Sequence, residues 1–234
     1  MSNNRGFTEA DVPDQSGKTF IVTGANAGVG FEIARVLAAR GARVLLGCRE
    51  QTRAQHAIAR IMQITPNADL VWLPLDLADL ESVRTAAGIA MKEKRIDALV
   101  NNAGIMVPPL TRTKQGFESQ FGVNHLGVFA LTSLLLPKLE QTPGARVVVT
   151  SSVAHLKARI DWDDLNADRS YSKADRYGAS KLANALFFFE LDRRLRAANS
   201  PVTVVGVHPG IAATSLGRHM GIARLAGPIV GLVL

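Results

Sequence analysis

Thr23-Gly24-Ala25-Asn26-Ala27-Gly28-Val29-Gly30 is the stretch whose reading decides the fold. It follows a short β-branched run at residues 19–23 and opens an apolar helical pattern over 29–39. Glycines here permit a tight turn and let a pyrophosphate approach the backbone, while the free N–H groups and dipole of the helix N-terminus attract the anion. Any strand-to-helix turn can use glycine, so the stretch draws its weight from position. Its spacing is GxxxGxG rather than the commoner GxGxxG, and no Gly-Lys-Ser/Thr follows, which excludes a P-loop NTPase.

Outward from this turn, short apolar runs alternate with longer helical patterns. Strands are expected at 19–23, 43–47, 70–74, 98–101, 146–150 and 202–207, and helices at 29–39, 51–64, 80–92, 118–136 and 177–198. This alternation predicts an α/β fold of repeated βαβ units, a single-domain doubly wound parallel sheet covered on both faces, with its ligand crevice at the strand C-termini. Residues 1–16 read as a polar arm and 17–234 as one domain.

The chain has 234 residues, 47% of them hydrophobic, enough for a substantial core. Cys48 is the single cysteine, so no intramolecular disulfide can form; with no Cys/His cluster at ligand spacing, no metal is expected. The polar N-terminus lacks a signal-peptide core, and the fourteen residues at 221–234, apolar apart from Arg224, are too few for a membrane span. The expected location is cytoplasmic. The net charge of +7 is scattered or helix-spaced, as at Arg193, Arg194 and Arg196, without aromatic interleaving, so nucleic acid is not the expected partner.

Unusual residues follow the strands. At the end of the second, where an NAD enzyme usually offers the adenosine ribose a carboxylate, the chain reads Gly47-Cys48-Arg49. An uncharged thiol and a guanidinium suit a 2′-phosphate, so NADP(H) is the expected cofactor; a plain surface salt bridge is the other reading of Arg49. Asp76 and Leu77 follow the third strand, where Asp76 could face adenine or cap the next helix, although Asp79 is also placed to cap. Of the two tyrosines, Tyr177 has Lys181 four residues on and Tyr171 has Asp175. Residues i and i+4 share a helical face, and a cation lowers a phenol's pKa where a carboxylate raises it. Tyr177 is therefore the candidate acid/base.

Tyr177-Gly178-Ala179-Ser180-Lys181, Asn101-Asn102-Ala103-Gly104, Ser151-Ser152, the GxxxGxG turn and His208-Pro209-Gly210 with Thr214 together resemble the short-chain dehydrogenase/reductase family. Cys48-Arg49 and the spacing of twenty-five positions from Ser152 to Tyr177 are most similar to its retinol-dehydrogenase-like, NADP-preferring branch. The resemblance implies a Rossmann-type sheet. It assigns catalysis to Tyr177, Lys181, Ser152 and Asn124, the last kinking a helix and helping to relay protons. It assigns cofactor binding to Gly24, Asn26, Ala27, Gly28, Val29, Gly30, Arg49, Asp76, Leu77, Asn102, Ala103, Gly104, Tyr177, Lys181, Pro209, Gly210 and Thr214. The implied activity interconverts a carbonyl and an alcohol on a small apolar substrate. A homodimer or homotetramer is implied, paired through the helices carrying Asn124 and Phe187-Phe188-Phe189. Similar proteins continue past the PGxxxT segment into a lid and a seventh strand, which this chain is expected to lack. A non-catalytic NADP(H)-binding derivative is therefore the alternative reading. Residues 157–173 are expected to form a polar loop near the substrate mouth.

Overall fold

The computed structural model describes residues 6–210 and the strand Leu232–Val233. Six parallel strands, β1 (Thr19–Thr23), β2 (Arg43–Cys48), β3 (Asp69–Pro74), β4 (Ala98–Asn101), β5 (Arg146–Thr150) and β6 (Thr203–His208), form the sheet. Their order is β3-β2-β1-β4-β5-β6, so the winding reverses between β1 and β4. Loops leaving those two strands diverge to opposite faces, and the crevice between them is where such sheets bind ligands.

The strands read as apolar runs because both faces are covered. Successive side chains alternate between two layers: Val22, Val44 and Leu46 pack with Phe31, Ala34 and Ala38 of α1 (Gly28–Ala39) and with Ala57 and Ile61 of α2 (Gln51–Ile64). Ile21, Leu45 and Leu99 face the opposite layer, with Val83 and Ala87 of α3 (Leu80–Ala90) and Leu131 and Leu135 of α5 (Gly127–Glu140). Alanine is the usual contact residue on α1, which lets that helix lie close to the sheet.

Three features depart from the sequence reading. The helix expected over 118–136 is broken: α4 (Ser119–Phe121) passes through a π-turn, Gly122–Leu126, into α5, which runs through Pro137 to Glu140. Proline removes only its own N–H from the ladder, and the fully buried Leu139 holds the last turn on the core. Helix α6 (Lys173–Ala197) starts earlier than expected, because the Ser172 hydroxyl caps it by accepting from the Asp175 N–H at 3.4 Å. Tyr177 thus lies inside a formed helix. At the sheet edge, β7 (Leu232–Val233) pairs antiparallel with Val207 and His208, a two-residue contact rather than a full-length seventh strand. The 157–173 segment is a loop, as expected, and is anchored to α6: Arg176 pairs with the enclosed Asp164 at 2.9 Å and also donates to the Leu165 and Ser170 carbonyls.

Candidate active site

The crevice at the reversal point is built by a knot between the β1 and β4 loops. The Thr23 hydroxyl accepts from the Asn102 N–H at 3.0 Å and the Ala103 N–H at 2.9 Å, and the Asn102 Nδ2 donates back to the Thr23 carbonyl at 2.9 Å. Gly24 can follow because its φ of 68° is costly for a side chain, and a Cβ there would press on Ala103 Cα at 3.1 Å. Gly30 is tighter still: a Cβ on it would lie 2.4 Å from the Gly24 carbonyl oxygen and 2.5 Å from Asn102 Nδ2. Ala27 at the cap of α1 has no polar side chain, so the first N–H groups, those of Gly28, Val29 and Gly30, have no side-chain cap. A glycine cradle beside an uncapped helix end fits a pyrophosphate, and with it the expected dinucleotide.

One open cleft brings together Gly24, Asn26, Arg49, Asp76, Leu77, Ala103 and Gly104. At its outer end the Cys48 thiol is buried and donates to the Leu46 carbonyl at 3.6 Å; burial, aided by the Glu50 charge, pushes its pKa up to about 11, so it brings no charge. Arg49 is exposed and contacts Glu50 at 3.3 Å, and the same carboxylate holds Arg53 at 2.8 Å. Arg53 also lines the cleft and was missed by the sequence reading. The signal was available: position 53 stands one helical turn beyond Glu50 and faces the same way. Capping of α3 falls to Asp79, which accepts from the Glu81 N–H at 3.0 Å. Asp76 lines the cleft and accepts from the Ala78 N–H at 2.9 Å.

The inner end of the cleft adjoins the tyrosine and lysine. Lys181 is buried, and its Nζ donates to the Thr150 carbonyl at the end of β5 at 3.1 Å. A Cβ on Gly104 would lie 3.5 Å from that Nζ and 3.1 Å from Asn124 Oδ1, so the absent side chain keeps the two ends of the site in contact. Tyr177 is buried with its ring centroid 5.8 Å from Lys181 Nζ. Here the expected activation needs correction. Burial drives the Tyr177 phenol above its ordinary value, and a hydrogen bond with Ser152 opposes that. Burial also brings Lys181 itself down to about 8. In this enclosure desolvation outweighs the attraction of a cation several ångströms away.

Ser152 leads into the 3-10 turn Val153–Lys157, accepting from the Ala154 N–H at 3.3 Å. The π-turn places Asn124 at the kink, as expected, with both amide hydrogens and one acceptor position of its side chain used. Its Oδ1 accepts from the Ile105 N–H at 2.8 Å, and its Nδ2 donates to the Ile105 carbonyl at 3.0 Å and to Ser180 Oγ at 2.9 Å. The amide therefore positions the chain after β4. His125, buried with its pKa lowered by desolvation, packs between Phe121 and Phe187 and contacts Asn184 at 3.2 Å. Pro209 and Gly210 follow β6, with Gly210 at φ 65° and its N–H donating to His208 Nδ1 at 3.3 Å. Thr214 lies outside the described residues.

Comparison with known proteins agrees with this geometry. The family model for short chain dehydrogenase matches residues 18–223. Retinol dehydrogenase 14 of Mus musculus is 46% identical over 228 residues, covering 93% of this chain and 68% of the relative. Retinol dehydrogenase 13 of Homo sapiens is 46% identical over 235 residues, covering 97% and 70%. A crystal structure from Mycobacterium Paratuberculosis superposes with a TM-score of 0.80 at 46% identity, covering 88% of this chain and 73% of that one. The RhlG/NADP active-site complex of Pseudomonas aeruginosa superposes with a TM-score of 0.70 at 27% identity, covering 88% and 77%.

Proposed function

This chain belongs to the short-chain dehydrogenase family, and on that premise we propose that it interconverts a carbonyl and an alcohol on a small apolar substrate with NADP(H) as its cofactor. The observation that carries the reading is that Tyr177 joins Ser152 by a hydrogen bond and stands beside Lys181, whose Nζ faces Gly104 in the wall of the glycine-lined cleft. NADPH, when bound, supplies the hydride. Ser152 hydrogen-bonds the carbonyl oxygen and stabilises charge developing on it, and Tyr177 donates the proton to that oxygen as general acid. Lys181 presents a cation from a buried position and holds the nicotinamide ribose. Gly24, Asn26, Ala27, Gly28, Val29 and Gly30 hold the pyrophosphate, and Asn102, Ala103, Gly104, Pro209 and Gly210 bound the nicotinamide.

Preference for the phosphorylated cofactor rests on two guanidiniums, Arg49 and Arg53, at the ribose end of the cleft beside an uncharged Cys48. Relatives named retinol dehydrogenase make all-trans-retinal the first substrate to try. The apolar residues Phe129 and Leu134 on α5 and Leu186 and Phe189 on α6, all exposed in the single chain, support the further reading that it pairs as a homodimer. Of the phenylalanine triplet, Phe187 and Phe188 pack against the core, and the Phe188 ring fills the space at Gly206.

The test follows NADPH absorbance against a panel of aldehydes and ketones that includes all-trans-retinal. Turnover is expected with at least one apolar carbonyl, and Tyr177→Phe should cost about a thousandfold in kcat while NADPH still quenches protein fluorescence. Undiminished turnover in that variant, or no turnover of any carbonyl by the wild-type chain, refutes the reading.

A further inference from the structure

Tyr171, set aside as an acid/base because Asp175 follows it, has a different position in the fold. Its hydroxyl donates to the Pro108 carbonyl at 2.8 Å and accepts from Gln120 Nε2 at 3.2 Å. Gln120 is fully buried, and all its polar capacity on the nitrogen is used: the second Nε2 hydrogen goes to the Lys173 carbonyl at 2.9 Å. Its Oε1 accepts from the Val107 N–H at 2.9 Å. The dipeptide Val107-Pro108 is therefore gripped at both ends, by its N–H and by its C=O, in a closed ring of hydrogen bonds through two side chains.

The grip holds a conformation the chain would not choose. Val107 has φ 48°, an outlying value for a β-branched residue and one that persists only where the surroundings impose it. Gln120 and Asn124 stand four residues apart, across α4 and the π-turn, and each pins a backbone two residues from the other's: Asn124 holds Ile105 and Gln120 holds Val107. The pinned segment runs directly on from Gly104, which faces Lys181.

Behind Gln120, the buried Glu118 carboxylate accepts from the Gln120 and Phe121 N–H groups at 2.9 and 2.8 Å. The Glu118 N–H donates to Asn166 Oδ1 at 3.3 Å, and Arg112 donates to the Asn166 carbonyl and to Asp168 at 2.7 Å. The long segment between Ser152 and Tyr177 is thus stitched to the chain after β4 at Tyr171, Asn166 and Asp168. Arg176, one residue before Tyr177, closes the same segment through Asp164.

We propose that Tyr171 and Gln120 are positioning residues that hold Val107-Pro108 as a fixed wall of the carbonyl site, through which the Ser152–Tyr177 segment sets which carbonyl substituents fit. The inference rests on the oxidoreductase reading above. A wall held against its own backbone preference stays in place when the substrate presses on it, and loosening it relaxes discrimination rather than chemistry.

The experiment compares the wild-type chain with Tyr171→Phe, which keeps the ring and removes the hydroxyl. Val107→Gly is the second variant; it keeps the backbone bonds and removes the conformational constraint. Two readouts are taken: amide hydrogen exchange of the peptide spanning 105–110, and the ratio of kcat/KM for a linear against a branched apolar aldehyde, with NADPH. Tyr171→Phe is expected to speed exchange at 105–110 about fivefold, the weight of one net hydrogen bond, and to shift the substrate ratio by a similar factor. The NADPH dissociation constant should be unchanged, and Val107→Gly should shift the ratio in the same direction even if Tyr171→Phe fails to fold. Unaltered exchange in Tyr171→Phe overturns the clamp whether or not the chain is active. Altered exchange or a lowered Tm with an unaltered ratio in both variants makes the ring structural only and overturns the specificity role. A wild-type chain that exchanges slowly at 105–110 but reduces no carbonyl overturns the functional reading and the specificity role together, and leaves the clamp standing.

Discussion

Replacing Lys181 with methionine should make the nucleotide-free protein more stable at neutral pH, although it removes a residue central to the site. The amine is buried, and desolvation brings its pKa from 10.5 to about 8. At about 1.4 kcal/mol per pH unit, keeping that ammonium charged at pH 7 costs the folded state about 3 kcal/mol. Methionine keeps the length of the side chain and loses the charge-assisted bond to the Thr150 carbonyl, worth about 1.5–3 kcal/mol. That carbonyl is not orphaned, because Asn184 Nδ2 also donates to it at 3.3 Å. The expected net gain is therefore at most about 1.5 kcal/mol at pH 7. Its pH dependence follows from linkage. Between about 8 and 10.5 the unfolded chain binds the proton more readily than the folded one, so wild-type stability rises with pH across that window. The methionine variant lacks this rise, and its advantage should vanish near pH 10. Urea denaturation of both proteins at pH 7 and pH 10, followed by fluorescence and circular dichroism to check two-state behaviour, measures it. A variant that is less stable at pH 7, or whose difference from wild type is the same at both pH values, refutes the reasoning.

Gly30→Ala places a Cβ 2.4 Å from the Gly24 carbonyl oxygen, and overpacking of this kind costs about 1–3 kcal/mol; a fluorescence titration should show NADPH affinity reduced about tenfold or more. Arg53→Ala removes one of the two guanidiniums held by Glu50; with a charged hydrogen bond worth about 1.5–3 kcal/mol, NADPH affinity should fall about tenfold while NADH affinity stays constant, a difference that isothermal titration resolves. Since burial raises the Tyr177 pKa, carbonyl reduction should be flat across neutral pH and alcohol oxidation should keep rising through alkaline pH; an oxidation profile that levels off below pH 8 contradicts this.

The six strands and the glycine turn were legible because a doubly covered sheet forces apolar runs and because only glycine tolerates the approach of Gly30 to Gly24. Residues whose work is done by backbone contacts were not. Thr23 reads as an ordinary β-branched strand end, yet its hydroxyl ties together the loops that form the cleft. Nothing in the 118–136 pattern announces a π-turn, since Gly122 and Gly127 read as mere weak helix formers; the fold uses Gly127 for an approach to Leu77, whose carbonyl oxygen would lie 2.6 Å from a Cβ. Asn124 was found by its motif, but the motif did not reveal that its amide is spent on Ile105. Arg53 was legible only through its one-turn spacing from Glu50, which no motif marks.

The largest gap between sequence and structure concerns the protonation of the tyrosine and lysine. Spacing of i and i+4 brings two groups to one face of a helix, and from there the cation would be expected to acidify the phenol. Burial changes the outcome, because it penalises phenolate and ammonium alike: Tyr177 is driven up and Lys181 down. Each group is pushed towards its neutral form, which at neutral pH costs stability through Lys181 alone, since the phenol is uncharged there in the folded and unfolded chain alike. A phenol that keeps its proton at neutral pH is in the form needed to donate one, which suits carbonyl reduction and opposes alcohol oxidation. The preference for NADPH argued from Arg49, Arg53 and the uncharged Cys48 points in the same direction, from the opposite end of the cleft and from unrelated physics. The proton source and the charge pattern of the nucleotide site therefore favour the same direction of reaction.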